Sequence, residues 1–260
     1  MNIIVCIKQV PETTEVKIDP KTNTLVREGI PSIINPFDMY ALEEAIRIKE
    51  RLGGITTVIT MGPGQAESAL REAIALGIDR AILLSDKAFA GADTLATSYT
   101  LAQAIKKLNN FNLIICGKQA SDGDTAQVGP GISVHLNIPQ ISYVKKIEEI
   151  NQNFIRAQRM TEDGFEVIKS PLPCLLTVVK EINEPRLPSL KGMLRAKRVK
   201  IEKWSSKDLS VGAEEIGLEG SATQVIKIFT PPPRKGGEIL RGDSRETVDK
   251  LVESLRKELI

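Results

Sequence analysis

The chain has 260 residues, 42% of them hydrophobic, which is enough for one substantial core with a small appended lobe. Its 35 basic and 33 acidic residues leave a formal charge of only +2, so nothing pulls the whole molecule toward nucleic acid or an anionic membrane. A single histidine, His135, and three cysteines without a C-x-x-C pair leave no zinc constellation and no Ser-His-Asp triad, which sets hydrolytic and metal chemistry aside.

The apolar run 2–7 predicts a first strand. It is too short for a signal-peptide core, and no run reaches the roughly 18 apolar residues of a membrane span, so a cytoplasmic protein without membrane insertion is expected. Runs at 55–61, 81–84 and 113–116, rich in Val, Ile and Leu, predict further strands buried on both faces. Between them, 38–52, 65–76 and 93–108 carry apolar residues near helical spacing. Strands and helices alternating at this length imply a parallel sheet with right-handed crossovers. Asn35 before Pro36, Asp93 before Thr94 and Gly129 before Pro130 mark helix starts, with Asn35 a candidate for both capping and binding. Cys6, Cys116 and Cys174 lie in or beside strand runs and read as buried, reduced thiols.

Beyond about residue 141 the pattern changes. Stretches 144–159, 166–169 and 174–181, around a Glu162-Asp163-Gly164 turn, predict strands that add to the sheet in antiparallel fashion. From Asn183 onward proline, lysine and glycine rise, through Pro231-Pro232-Pro233-Arg234-Lys235-Gly236-Gly237, and predict a loop and an extended arm. Residues 244–260 set Val248, Leu251, Val252, Leu255 and Leu259 on one helix face, which would dock on a partner or pack on the chain's own domain.

Ligands of open parallel sheets settle beyond the carboxyl ends of the strands. The four loops there read Lys8-Gln9-Val10-Pro11, Gly62-Pro63-Gly64-Gln65, Gly91-Ala92-Asp93-Thr94 and Gly117-Lys118-Gln119-Ala120-Ser121-Asp122-Gly123-Asp124-Thr125-Ala126-Gln127-Val128-Gly129. Glycines let backbone approach a ligand, and amides at a helix start favour a phosphate. None of the four matches the dinucleotide G-x-G-x-x-G or the P-loop pattern. Asp122 and Asp124 repel phosphate, so they are assigned to ribose hydroxyls or to capping, leaving the amides of Thr125, Ala126, Gln127, Val128 and Gly129 for phosphates. Purely structural turn chemistry is the alternative. Aromatic residues are 4% of the chain, so base-stacking platforms are scarce, and the basic run 191–203 reads as a solvated or protein-facing segment. The residues alone thus reach a nucleotide-binding α/β domain with a partner-facing tail.

Several segments in order resemble the electron-transfer flavoprotein β family: Val5-Cys6-Ile7-Lys8-Gln9-Val10-Pro11, Asn35-Pro36-Phe37-Asp38, Met61-Gly62-Pro63 and Gly117-Lys118-Gln119-Ala120. Ala157-Gln158-Arg159-Met160-Thr161-Glu162-Asp163-Gly164-Phe165-Glu166-Val167-Ile168, followed by Pro173-Cys174-Leu175-Leu176-Thr177, is similar to that family's diagnostic pattern. The likeness runs essentially end to end. It implies a doubly wound, mostly parallel α/β sheet of the adenine-nucleotide-binding, alpha-hydrolase-like type, with added antiparallel strands and a C-terminal arm. It also implies a heterodimer whose α subunit carries an electron-shuttling FAD while the β subunit holds an adenine nucleotide, in many members AMP. Cys6, Lys8, Asn35, Phe37, Asp38, Met61, Gly62, Gln119 and the loop 123–134 are then expected to line it, with Phe37 also approaching the α-subunit flavin.

The fourth loop departs from the AMP-type pattern of an acidic run followed by cysteine. With Val10-Pro11-Glu12-Thr13 it resembles the electron-bifurcating subgroup, in which a second FAD accepts hydride from NADH and splits the electron pair between a low-potential acceptor, ferredoxin or flavodoxin, and a high-potential one. Asp93, Thr94 and Thr97 become expected contacts to that flavin. A subunit holding structural AMP is the alternative. A universal-stress-like nucleotide sensor is a third reading, disfavoured by the segments quoted. Pro185 to Met193 resembles the family's recognition loop, which docks on an acyl-CoA or hydroxy-acid flavin dehydrogenase. Leu190 would be the anchor, beside Met193 and a cationic rim of Lys191 and Arg195, unless it is tucked into its own domain. The expected organisation is a nucleotide domain at 1–182, the recognition loop at 183–200, and at 201–260 an extension and arm contacting the α subunit.

Overall fold

A computed structural model describes residues 1–12, 31–226, 237 and 239–258. Strand β1 is Asn2–Cys6, β2 Gln9–Pro11 and β3 Ser32–Ile34; helix α1 is Pro36–Leu52, followed by β4 Ile55–Met61, α2 Glu67–Leu76, β5 Arg80–Leu84, α3 Thr94–Leu108, β6 Leu113–Gly117 and α4 Val128–Leu136. The second half holds β7 Gln140–Ile150, β8 Phe154–Thr161, β9 Gly164–Pro171, β10 Cys174–Val178, α5 Leu190–Arg198, β11 Glu202–Trp204, α6 Ser206–Leu209 and α7 Ser244–Glu258. The main sheet has nine strands in the order β11-β5-β4-β1-β6-β10-β7-β8-β9, and β2 pairs with β3 in a separate two-stranded ribbon.

Every pairing from β11 to β7 is parallel; the β7–β8 and β8–β9 pairings are antiparallel, so β8 runs against the other strands of this sheet. Side chains alternate across β1, so Ile3 and Val5 join the α1 and α2 core on one face while Ile4 and Cys6 join the α3 and α4 core on the other. Burial of both faces explains why these strands read as continuous apolar runs rather than alternating ones.

Three expectations change. The stretch 144–159 is two strands, broken at Asn151, whose Oδ1 accepts from the amides of Asn153 and Phe154 and turns the chain. The stretch 174–181 does not add an antiparallel strand: β10 returns past the hairpin and inserts parallel between β6 and β7, and all five of its residues are buried. The region read as loop and arm contains α5 and β11. Ser189 caps α5 by accepting from the Gly192 amide, Ala196 and Ile201 are buried in the core beside α2, and β11 extends the sheet beyond β5. The apolar residues 248, 251, 252 and 255 of α7 lie on its exposed surface rather than packed on the domain. Leu259 and 231–236 lie outside the described residues. Among those described, no helix is long and apolar enough to cross a membrane.

Candidate nucleotide site

Beyond the carboxyl ends of β1, β4 and β6 lies a cavity of about 400 Å³. Its walls come from the first, third and fourth of the loops that follow parallel strands, with Met61 at the end of β4 and the start of α1, and two buried side chains tie the first and fourth loops together. Asn35 does not cap α1 with its side chain. Instead its Nδ2 donates to the Gln119 carbonyl at 2.8 Å and its Oδ1 accepts from the Ser121 amide at 3.0 Å, while its own amide donates to the Lys8 carbonyl. Asp38 accepts from the amides of Lys8, at 2.7 Å, and Gly117, at 3.1 Å. Burial pushes its carboxyl up to about 7, against the lowering effect of these donors. A Cβ at Gly117 would sit 2.3 Å from Asp38 Oδ1, so only glycine permits this approach.

The third loop is held differently. Asp93 Oδ1 caps α3 by accepting from the amides of Leu95 and Ala96, and Oδ2 accepts from the amide and hydroxyl of Thr223. Burial works to raise this carboxyl, but the donors outweigh it and hold it below the usual range. The Asp93 amide donates to Ser221 Oγ, so residues 221–223 strap this loop from outside. Thr94 Oγ1 donates to Gln127 Oε1, joining the third loop to the fourth.

In the fourth loop Asp124 and Ala126 both take left-handed backbone, with φ of 53° and 54°. Alternation of handedness before α4 turns neighbouring amides to one side. Among the described residues, the amides of Thr125, Ala126, Gln127, Val128 and Gly129 meet no acceptor. Gly123 is exposed, with nothing within 4 Å of where a Cβ would stand. Unmatched amides, a helix N-terminus and open space suit an anionic group, and no cluster of side chains able to hold a metal ion occurs among the described residues.

The floor is made by Cys6 and Cys116, buried and opposite each other on β1 and β6. Hydrogen bonding to the Cys6 thiol, reinforced by burial, raises the Cys116 thiol well above its ordinary value, and all three cysteines are free and buried, as expected.

A family profile, the electron transfer flavoprotein domain, matches residues 22–209. The electron transfer flavoprotein subunit beta of Thermoanaerobacterium thermosaccharolyticum is 55% identical over 98% of each chain. The caffeyl-CoA reductase-Etf complex subunit CarD of Acetobacterium woodii is 49% identical over the whole of both, and Protein FixA of Bradyrhizobium diazoefficiens is 46% identical over 98% of this chain and 91% of its own. The chain belongs to the electron transfer flavoprotein β-subunit family. Membership implies an α subunit as partner.

Of the residues singled out in the sequence, the cavity brings together Cys6, Lys8, Asn35, Asp38, Met61, Asp93, Thr94, Thr97 and Gln119, together with Gly123 and 125–129 of the fourth loop. Residues 130–134 and four others stand off its wall. Gly62 donates its amide to the Leu84 carbonyl, Asp122 pairs with Lys8 Nζ at 2.6 Å, Asp124 accepts from Gln119 Nε2, and Phe37 faces Lys118. Ile7, Leu101 and Cys116 also line the cavity and were not singled out, while Ala92, Gly117, Lys118 and Ala120 line it and were quoted only as members of the strand-end loops, not as site residues. Four of these, Cys116, Gly117, Lys118 and Ala120, stand at or just past the tip of β6, and strand-end position alone was signal enough to include them.

The recognition segment is helical from Leu190, which is 71% exposed, and Leu187 just before it is 89% exposed. Lys191 and Met193 are exposed beside them. Arg195 departs from its expected place on a cationic rim: its guanidinium donates to the Asp79 carbonyl and fixes α5 to the domain.

Proposed function

We propose that this chain is the β subunit of an electron-bifurcating electron transfer flavoprotein. In this reading it holds a second FAD, takes electrons from NADH, and delivers them to a low-potential acceptor such as ferredoxin or flavodoxin and, through the α-subunit FAD, to a flavin-dependent acyl-CoA or hydroxy-acid dehydrogenase. The observation that carries it is the row of unmatched amides at 125–129 beside the open space at Gly123. A diphosphate needs more donors and more room than a monophosphate, and the fourth loop supplies both.

The residues fit such a group. Amides 125–129 would take the phosphates, Asn35 and Asp38 hold the loops in register, and Thr94 and Thr97 offer hydroxyls on the α3 side. Asp93, with both carboxylate oxygens engaged, positions the α3 loop rather than reaching a ligand. When bound, a flavin there supplies two-electron acceptance and one-electron release. Leu187 and Leu190 would meet the dehydrogenase, and α7 with its exposed apolar stripe would contact the α subunit. That CarD carries the name of a caffeyl-CoA reductase complex supports an acyl-CoA-type partner.

One observation favours the second reading, a subunit holding structural AMP. A cavity of about 400 Å³ lies near the lower end of the ~300–1,000 Å³ usual for ligand sites and suits an adenosine phosphate. The flavin half of a FAD would extend past its mouth. Anaerobic titration of the heterodimer with NADH separates the two. Bleaching of two flavins per heterodimer without added dehydrogenase is expected, and flavin absorbance unmoved by NADH contradicts hydride uptake.

A further inference from the structure

Cys6 and Cys116 face each other in register across the β1–β6 pairing, and both side chains lie on the α3 and α4 side of the sheet. Neighbouring strands run about 4.8 Å apart, inside the ~4.4–6.8 Å between Cα atoms that a disulfide spans. Both residues line the cavity, and each keeps 6% of its surface exposed. The third cysteine shares none of this. Cys174, on β10, points into the opposite core cluster, has no exposed surface and stands off the cavity wall.

The two thiols are not equivalent. Hydrogen bonding to Cys6, reinforced by burial, holds the proton of Cys116 in place. Thiolate rather than thiol attacks an oxidant, so Cys6 is left as the attacking sulfur and Cys116 as the one that resolves the product. Hydrogen peroxide is little larger than water and can reach a cavity floor. Reduced flavins release it on meeting dioxygen, so a flavoprotein generates this oxidant itself. A nucleotide seated above the floor would cover both sulfurs, and an empty cavity leaves them open.

We infer that Cys6 and Cys116 form a peroxide-oxidisable dithiol at the cavity floor, which closes to a disulfide when the cavity is empty and which a bound nucleotide shields. The Cys6 sulfur takes one oxygen from hydrogen peroxide and becomes a sulfenic acid, and the other oxygen leaves as water. Cys116 then attacks that sulfur, and its proton departs with the sulfenic hydroxyl as a second water as the S–S bond forms. The pair thereby gives up two electrons and one peroxide becomes two waters. The shielding rests on the reading of the cavity as a nucleotide site; the pairing of the two sulfurs does not.

The test exposes the heterodimer, stripped of its nucleotides, to one equivalent of hydrogen peroxide, alone or with FAD or AMP added back. Thiols are then alkylated and mapped by mass spectrometry. The stripped protein should yield a peptide pair joined through Cys6 and Cys116 and separated by dithiothreitol, with Cys174 left alkylated. With FAD or AMP at about ten times its dissociation constant only about one cavity in ten stays empty, so joining should slow about tenfold. In Cys116→Ser the reaction should stop at a Cys6 sulfenic acid, which dimedone traps. No joined peptide from the stripped, unaltered protein overturns the dithiol and leaves the nucleotide reading standing. Joining at one rate in all three samples shows that neither nucleotide covers the floor, and overturns the shielding together with the nucleotide reading.

Discussion

Asp38 is a carboxylate almost out of reach of water, held by two backbone amides from different loops. Its carboxyl is raised from 3.8 to about 7, so its contribution to stability is complete at acid pH below 3.8 and fades as pH climbs through about 7. Asp38→Asn removes that titration. Urea unfolding of both proteins at pH 5 and pH 8 should show the free-energy gap between them shift in the variant's favour at the higher pH, on the order of 2–3 kcal/mol. The same gap at both values would mean that Asp38 does not titrate in this range. Single residues were also where the sequence was hardest to read. Asn35 was legible as a helix-start residue because Pro36 follows it, but its partners lie 84 and 86 residues away, and no local pattern announces a bond that long. Asp93 was legible as a cap for the same local reason, while its hold on Thr223, 130 residues on, was not.

Helices α1 to α3 were legible because their apolar residues recur at helical spacing, with Pro36 opening α1 and Asp93 capping α3, and β1, β4, β5 and β6 because both faces of each are buried. Strand β10 was legible as a strand but not in its direction, since only the path of the chain decides where a strand inserts. Helix α5 was obscured by the prolines before it and by its high charge, which hid the Ser189 cap. The clamp that precedes α5 links two elements. Arg186 binds Glu43 at 2.8 Å and Glu50 at 2.5 Å, both on α1, and Glu43 is buried. Burial would raise the Glu43 carboxyl, but Arg186 and Arg47 together hold it below its ordinary value. Arg186→Ala leaves Glu43 with Arg47 alone, and a loss of about 2–3 kcal/mol is expected, short of the roughly 3–5 for a fully broken buried pair. Hydrogen exchange should quicken at 183–189 and stay unchanged at 125–129; unchanged exchange at 183–189 would show that the clamp holds nothing.

At the scale of the molecule, the chain sets a cavity of about 400 Å³ at the carboxyl ends of its central parallel strands and leaves apolar surface uncovered elsewhere. Leu187 and Leu190 at the start of α5, Phe165 and Val167 on the edge strand β9, and the α7 stripe are all exposed. A family whose β subunit works beside an α subunit accounts for surface that a solitary protein would bury. The class of fold and the position of the cavity were legible in the alternation of strands and helices and in the rule that ligands settle beyond strand ends, whereas what the cavity holds turns on a few ångströms around Gly123 that no sequence pattern measures. Denaturing the purified heterodimer and quantifying what it releases addresses this directly. Two FAD per heterodimer and no AMP is the expected result; one FAD accompanied by one AMP would contradict it.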